Sequence, residues 1–70
     1  MENRSDRFKR LANRRTNNIL NQIRLLGNLS NKSTYDYSEE EINKIFSAID
    51  AQLKIAKVKF SSHRQKIFKL

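Results

Sequence analysis

The chain has 70 residues and a formal net charge of +8, with no cysteine, no proline and one histidine. That length sets a limit of one small domain, whose single core is marginal unless a disulfide, a metal or a partner adds to it. The missing cysteines exclude disulfides and thiolate metal sites, and the lone His63 makes a poor zinc ligand set. A second copy of the chain is therefore the expected source of extra burial.

The charge is unevenly spread. Residues 1–27 carry seven Lys/Arg against two acids, and residues 51–70 carry six Lys/Arg and no acid. Residues 28–38 balance through Lys32 and Asp36, and residues 39–50 carry four acids against one Lys. Such asymmetry points to an anionic partner: nucleic acid, a nucleotide, phosphate or an acidic protein surface. The competing account is that the excess cations serve solubility alone. No apolar run approaches the roughly 18 residues that cross a bilayer, and "MENRSDRFKR" lacks the apolar centre of a secretory signal. A cytoplasmic protein is expected, in the host cytoplasm if the chain is phage-encoded, with no membrane partner. The sequons at Asn28 and Asn31 then carry no meaning.

The first helix is predicted over residues 6–26, capped by Ser5. Phe8, Ala12, Ile19, Ile23 and Leu26 repeat at helical spacing, with Leu11 and Leu20 on the flanks. Gly27 stands where a left-handed C-cap is expected. Within "NRRTNN", Asn13 to Asn18, the apolar stripe is interrupted, and Arg15 falls on the line that joins Phe8, Ala12 and Ile19. Arg10, Arg14, Asn17, Asn21 and Arg24 project from the opposite face. Arg15 has two readings: a guanidinium snorkelling at the edge of a small bundle, or one held in the seam for an anion, supplied by a ligand or a facing carboxylate.

Residues 27–37 form the junction. It holds the only glycine, both tyrosines and a dense set of Asn, Ser and Thr. Asn28, Asn31, Lys32 and Tyr35 are the candidate ligand contacts here, Tyr35 as a stacking face. The alternative is an ordered connector whose Asn, Ser and Thr satisfy their own turns.

The second helix is predicted over residues 39–60. Ser38 and Glu41 spell a capping box, and Tyr37 and Ile42 occupy the positions of a hydrophobic staple. Glu39, Glu40 and Glu41 suit the positive end of the helix dipole, so they need no catalytic role. The apolar face continues through Ile45, Phe46, Ile49, Leu53, Ala56 and Phe60, while Ile55 and Val58 lie off that line and offer a second contact. Residues 61–70 are basic. They extend the helix, fray as a tail, or grip another subunit; His63 reads as a solvated surface residue.

These elements predict an all-α fold: one antiparallel two-helix hairpin, residues 1–70, that oligomerises as a four-helix-bundle dimer or a higher assembly. No set of residues forms a nucleophile, a phosphate loop or a paired acid and base, so no enzyme, cofactor or metal is expected. Binding is expected instead. Guanidinium forks and amide side chains recognise phosphates, and aromatic faces with Asn-type donor–acceptor pairs recognise bases. On this chemistry the candidate ligand residues are Arg14, Arg15, Asn18 and Arg24 of the first helix and Asn28, Asn31, Lys32 and Tyr35 of the junction.

At "IRLLGNLSN", followed by "YDYSEEEINKIFSAID", the chain resembles a widespread group of short, basic bacterial and phage-borne proteins. The resemblance covers roughly residues 8–60. It is most specific over Arg24 to Asn31 and at Tyr35 and Tyr37 leading into Lys44, Ile45 and Phe46. Through that group the chain is similar to small viral sponge proteins that counter cyclic-nucleotide defence signalling (anti-CBASS). The resemblance implies a compact helical oligomer that sequesters a cyclic dinucleotide without cleaving it, in a pocket between subunits. Two other functions fit the residues. One is a DNA- or RNA-binding module using the basic faces, although no helix-turn-helix spacing is present. The other is a small inhibitor or adaptor docking on an acidic protein.

Overall fold

The computed structural model describes residues 1–62. Among these residues the protein is all-helical: α1 spans Arg4–Gly27, a 3-10 turn spans Asn28–Ser30, and α2 spans Glu39–Ser62. The chain divides into two compact units, Met1–Asp36 and Tyr37–Leu70. The expectations for His63 and the rest of the basic C-terminus lie outside the described residues.

In the first unit, α1 begins earlier than the sequence pattern places it. Asn3, not Ser5, is the N-cap. Its backbone is extended, and its side-chain oxygen accepts the Asp6 N–H at 2.8 Å, while its carbonyl accepts the Arg7 N–H at 3.0 Å. Asparagine is as good a cap as serine, and capping at Asn3 lets Ser5 join the first turn. Asp6 in that turn faces the positive end of the helix dipole.

The other end of α1 corrects the expectation for Gly27. Its φ is −61° and its ψ −28°, and Asn28 follows at −66° and −15°, both right-handed. The Asn28 N–H is shared among the carbonyls of Arg24, Leu25 and Leu26. No glycine of the chain has a positive φ. The helix therefore tightens into a 3-10 turn instead of reversing at a left-handed residue, a common way to satisfy the last carbonyls. A Cβ added at Gly27 would meet no atom within 4 Å. Gly27→Ala is accordingly expected to stabilise α1 by about 0.5–1 kcal/mol, by removing backbone freedom from the unfolded chain. Thermal unfolding followed by circular dichroism checks this; a left-handed requirement at residue 27 reverses the sign.

Beyond the turn, Asn31 organises the connector. Its side-chain oxygen accepts the Ser33 N–H at 3.1 Å and the Ser33 hydroxyl. Its carbonyl accepts the N–H groups of Thr34 and Tyr35, at 3.1 and 2.9 Å. Its amide donates to the Thr34 hydroxyl at 3.4 Å. These are the local bonds of an Asx turn, which closes a bend with one side chain.

In the second unit the capping box is formed in both directions. The Glu41 N–H donates to the Ser38 hydroxyl at 3.1 Å, and the Ser38 N–H donates to the Glu41 carboxylate at 2.9 Å. The Ser38 carbonyl accepts the Ile42 N–H at 3.1 Å, which starts the helical ladder. Tyr37 and Ile42, at the staple positions, are both half-buried. Glu40 and Lys44 add an i, i+4 pair in the favourable order, 3.8 Å apart. At its far end α2 runs past Phe60, and the Ser61 hydroxyl donates back to the Lys57 carbonyl at 3.2 Å.

Each helix carries an open apolar face. Among the described residues none is buried. Leu11, Ala12, Leu26, Tyr37, Ile42 and Ile49 are half-buried, whereas Phe8, Ile19, Phe46, Leu53 and Phe60 are exposed. An amphipathic helix gains little from its apolar stripe until something covers it.

Candidate functional site

The polar face of α1 is more regular than its apolar face. Reading at alternating steps of four and three residues gives Asn3, Arg7, Arg10, Arg14, Asn17, Asn21, Arg24 and Asn28. Every position is arginine or asparagine. This spacing keeps side chains on one face of a helix. From Arg7 to Asn28 the stripe runs about 32 Å at 1.5 Å per residue. All eight residues are exposed.

Four stripe residues are tied by local hydrogen bonds. The Arg10 guanidinium meets the Glu2 carboxylate through two bonds, from Nε at 2.8 Å and from a terminal nitrogen at 3.1 Å. That bond holds the Arg10 pKa above its ordinary value, against a small opposing effect of desolvation. Arg24 donates to the Asn21 side-chain oxygen at 2.6 Å. The bond uses the Asn21 oxygen and leaves the donor capacity of its amide nitrogen unspent. The Asn3 oxygen is committed to the helix cap.

The sequence-predicted site residues separate into three places. Arg14, Arg24 and Asn28 belong to the stripe, and Asn18 borders it. Arg15 lies on the other side of α1, between Phe8, Ala12 and Ile19, where its side chain is exposed and not buried. Arg15 stands thirteen residues before Asn28, roughly 20 Å along the helix. One phosphate cannot bridge them within a single chain. Asn31, Lys32 and Tyr35 lie in the connector. Asn31 is occupied by its own turn, and Tyr35 keeps 45% of its surface exposed.

Arg7 is absent from the sequence-predicted set, and so is the role of Asn17 and Asn21 as part of an unbroken line. The signal was the four–three spacing. It extends to Asn28 only because Gly27 stays right-handed; a left-handed Gly27 turns Asn28 off the face. Among the described residues, no three of His, Cys, Asp and Glu gather to hold a metal ion, and no helix is long and apolar enough to cross a membrane. The chemistry on offer is that of planar, multiply donating side chains arrayed along a rigid rod. Comparison with protein-family models, curated proteins and solved structures found no match to this chain.

Proposed function

We propose that the protein is a non-enzymatic binder of nucleic acid that lays α1 along the major groove of double-stranded DNA. The unbroken Arg/Asn stripe of α1 carries this reading. Arg paired with guanine and Asn paired with adenine are common bidentate base contacts, and arginine forks also clamp phosphates. An α-helix about 10–12 Å across with its side chains matches a groove about 12 Å wide.

The remaining apolar faces supply the scaffold of this reading. The scaffold we propose is an antiparallel hairpin in which each helix covers part of the other's apolar face. Self-association of such hairpins then covers what one hairpin leaves open and presents two copies of the stripe.

The exposed Tyr35 ring favours a second reading, capture of a cyclic dinucleotide by stacking and by arginine. Because Arg15 and the junction do not converge within one chain, that reading requires residues from two copies. Fluorescence polarisation separates the two. A mixed-sequence duplex of about two helical turns is titrated between 50 and 200 mM salt, beside a panel of cyclic di- and trinucleotides. Three arginine–phosphate contacts per helix, from Arg7, Arg14 and Arg24, give a log–log slope of about −2.7 and roughly a fortyfold loss of affinity across that range. Tight binding of a cyclic dinucleotide with no duplex binding overturns the DNA reading. Binding of neither, with capture of an acidic protein, favours the adaptor function.

A further inference from the structure

We propose that the back of α2, the line Ala48, Ala51, Ile55 and Val58, docks antiparallel on the same line of a second copy of this chain. These residues follow at steps of three, four and three, so they share one face of α2. That face lies opposite the one that carries Ile42, Phe46, Ile49, Leu53, Ala56 and Phe60. All four are exposed, Ile55 at 51% and Val58 at 58%. A helix that is apolar on two opposite faces needs a partner on each. Of the two, this line of small and branched residues is the one that is complementary to itself, which suits a second copy of α2. The inference rests on the self-association reading for the presence of two copies, and it adds the face and the direction.

Two observations fix the occupant as a second copy and the direction as antiparallel. The first is charge. The leading half of α2, Glu39 to Asp50, carries four carboxylates against Lys44, and the trailing half to Ser62 carries Lys54, Lys57 and Lys59 with no acid. Antiparallel pairing sets the acidic half of each copy against the basic half of the other. Parallel pairing stacks like on like and is repulsive. The second is size. A two-fold axis at the level of Leu53 places Ala48 opposite Val58 and Ala51 opposite Ile55. Each layer then joins a small side chain to a branched one, and the line is complementary to itself, as an isologous contact requires.

The chain has no cysteine, so disulfide trapping reads this geometry directly. Ala48→Cys and Val58→Cys chains, mixed and oxidised, are expected to form the mixed disulfide. Each variant alone is expected to form little, because antiparallel pairing separates like positions by about 15 Å along the helix, beyond disulfide reach. Ile55→Glu is expected to raise the dimer dissociation constant roughly a hundredfold, since a symmetric interface loses two apolar side chains at once. Circular dichroism verifies that α2 remains helical. Disulfides from either single variant in preference to the mixture overturn the direction. Trapping only between Phe46→Cys and Ala56→Cys chains overturns the face and leaves self-association standing. A monomeric mass with no trapping overturns both.

Discussion

Replacing Arg7, Arg14 and Arg24 together by alanine is expected to lower duplex DNA affinity by two to three orders of magnitude at about 0.1 M salt. Each arginine–phosphate contact contributes about 0.9 to the salt slope, so removing three takes roughly 2.7 from it. Extrapolated from 1 M salt, that change in slope is about a 500-fold change in affinity at 0.1 M. Alanine is the strongest helix former, so α1 is expected to keep its helicity, and the loss reports contacts instead of unfolding. Arg10 is left in place because Glu2 already holds it.

The control is the pair Arg4→Ala and Arg15→Ala. Both residues carry the same charge as the stripe arginines but sit toward the apolar side of α1. Their joint removal is expected to cost no more than a few-fold in affinity. An equal loss from the control pair identifies net charge, and not the stripe, as the source of binding. Asn17→Ala and Asn21→Ala test a different property. Amide side chains neutralise no phosphate, so they leave the salt slope unchanged; a base-reading role shows as relaxed sequence preference, about 1–3 kcal/mol per lost bidentate contact.

What the sequence made legible depended on how local each signal was. The start of α2 was readable because Ser38 and Glu41 satisfy each other within one turn, and no distant residue alters the outcome. The end of α1 was not readable from Gly27, because glycine takes either hand at little cost. The hand was decided by the next three residues: Asn28–Ser30 continue as a 3-10 turn that uses the last carbonyls of α1. At the start of α1 the sequence pattern pointed to Ser5 as the cap, and the structure uses Asn3. The earlier cap starts the helix at Arg4, and the Arg7 N–H joins the ladder by donating to the Asn3 carbonyl. These end effects shaped the candidate site. The middle of the Arg/Asn face was visible in the sequence, but its full length depended on both helix ends. The junction shows the reverse case. Its Asn, Ser and Thr content invited a ligand, whereas the bonds from Asn31 give most of those groups a structural task.

The second large effect is expected at Phe46, and its sign is informative. Phe46 is 45% exposed on the face of α2 that also carries Leu53 and Phe60. If a helix of this chain or of another copy covers that face, Phe46→Ala removes a large buried side chain and costs about 3–5 kcal/mol. Domains of this size seldom have more than about 3–5 kcal/mol from a single core, so most molecules unfold at room temperature. Loss of self-association and of the cooperative transition accompanies the unfolding. If α2 instead works with its face open, the substitution exchanges an aromatic for a better helix former and stabilises by a few tenths of a kcal/mol. Urea titration at two protein concentrations distinguishes these cases. A covered seam gives a large drop in midpoint and, for a dimer, a midpoint that rises with concentration in the parent chain. An unchanged or raised midpoint overturns the paired-helix architecture. It then leaves α1 and α2 as independent amphipathic helices, and the DNA-binding stripe without a folded scaffold behind it.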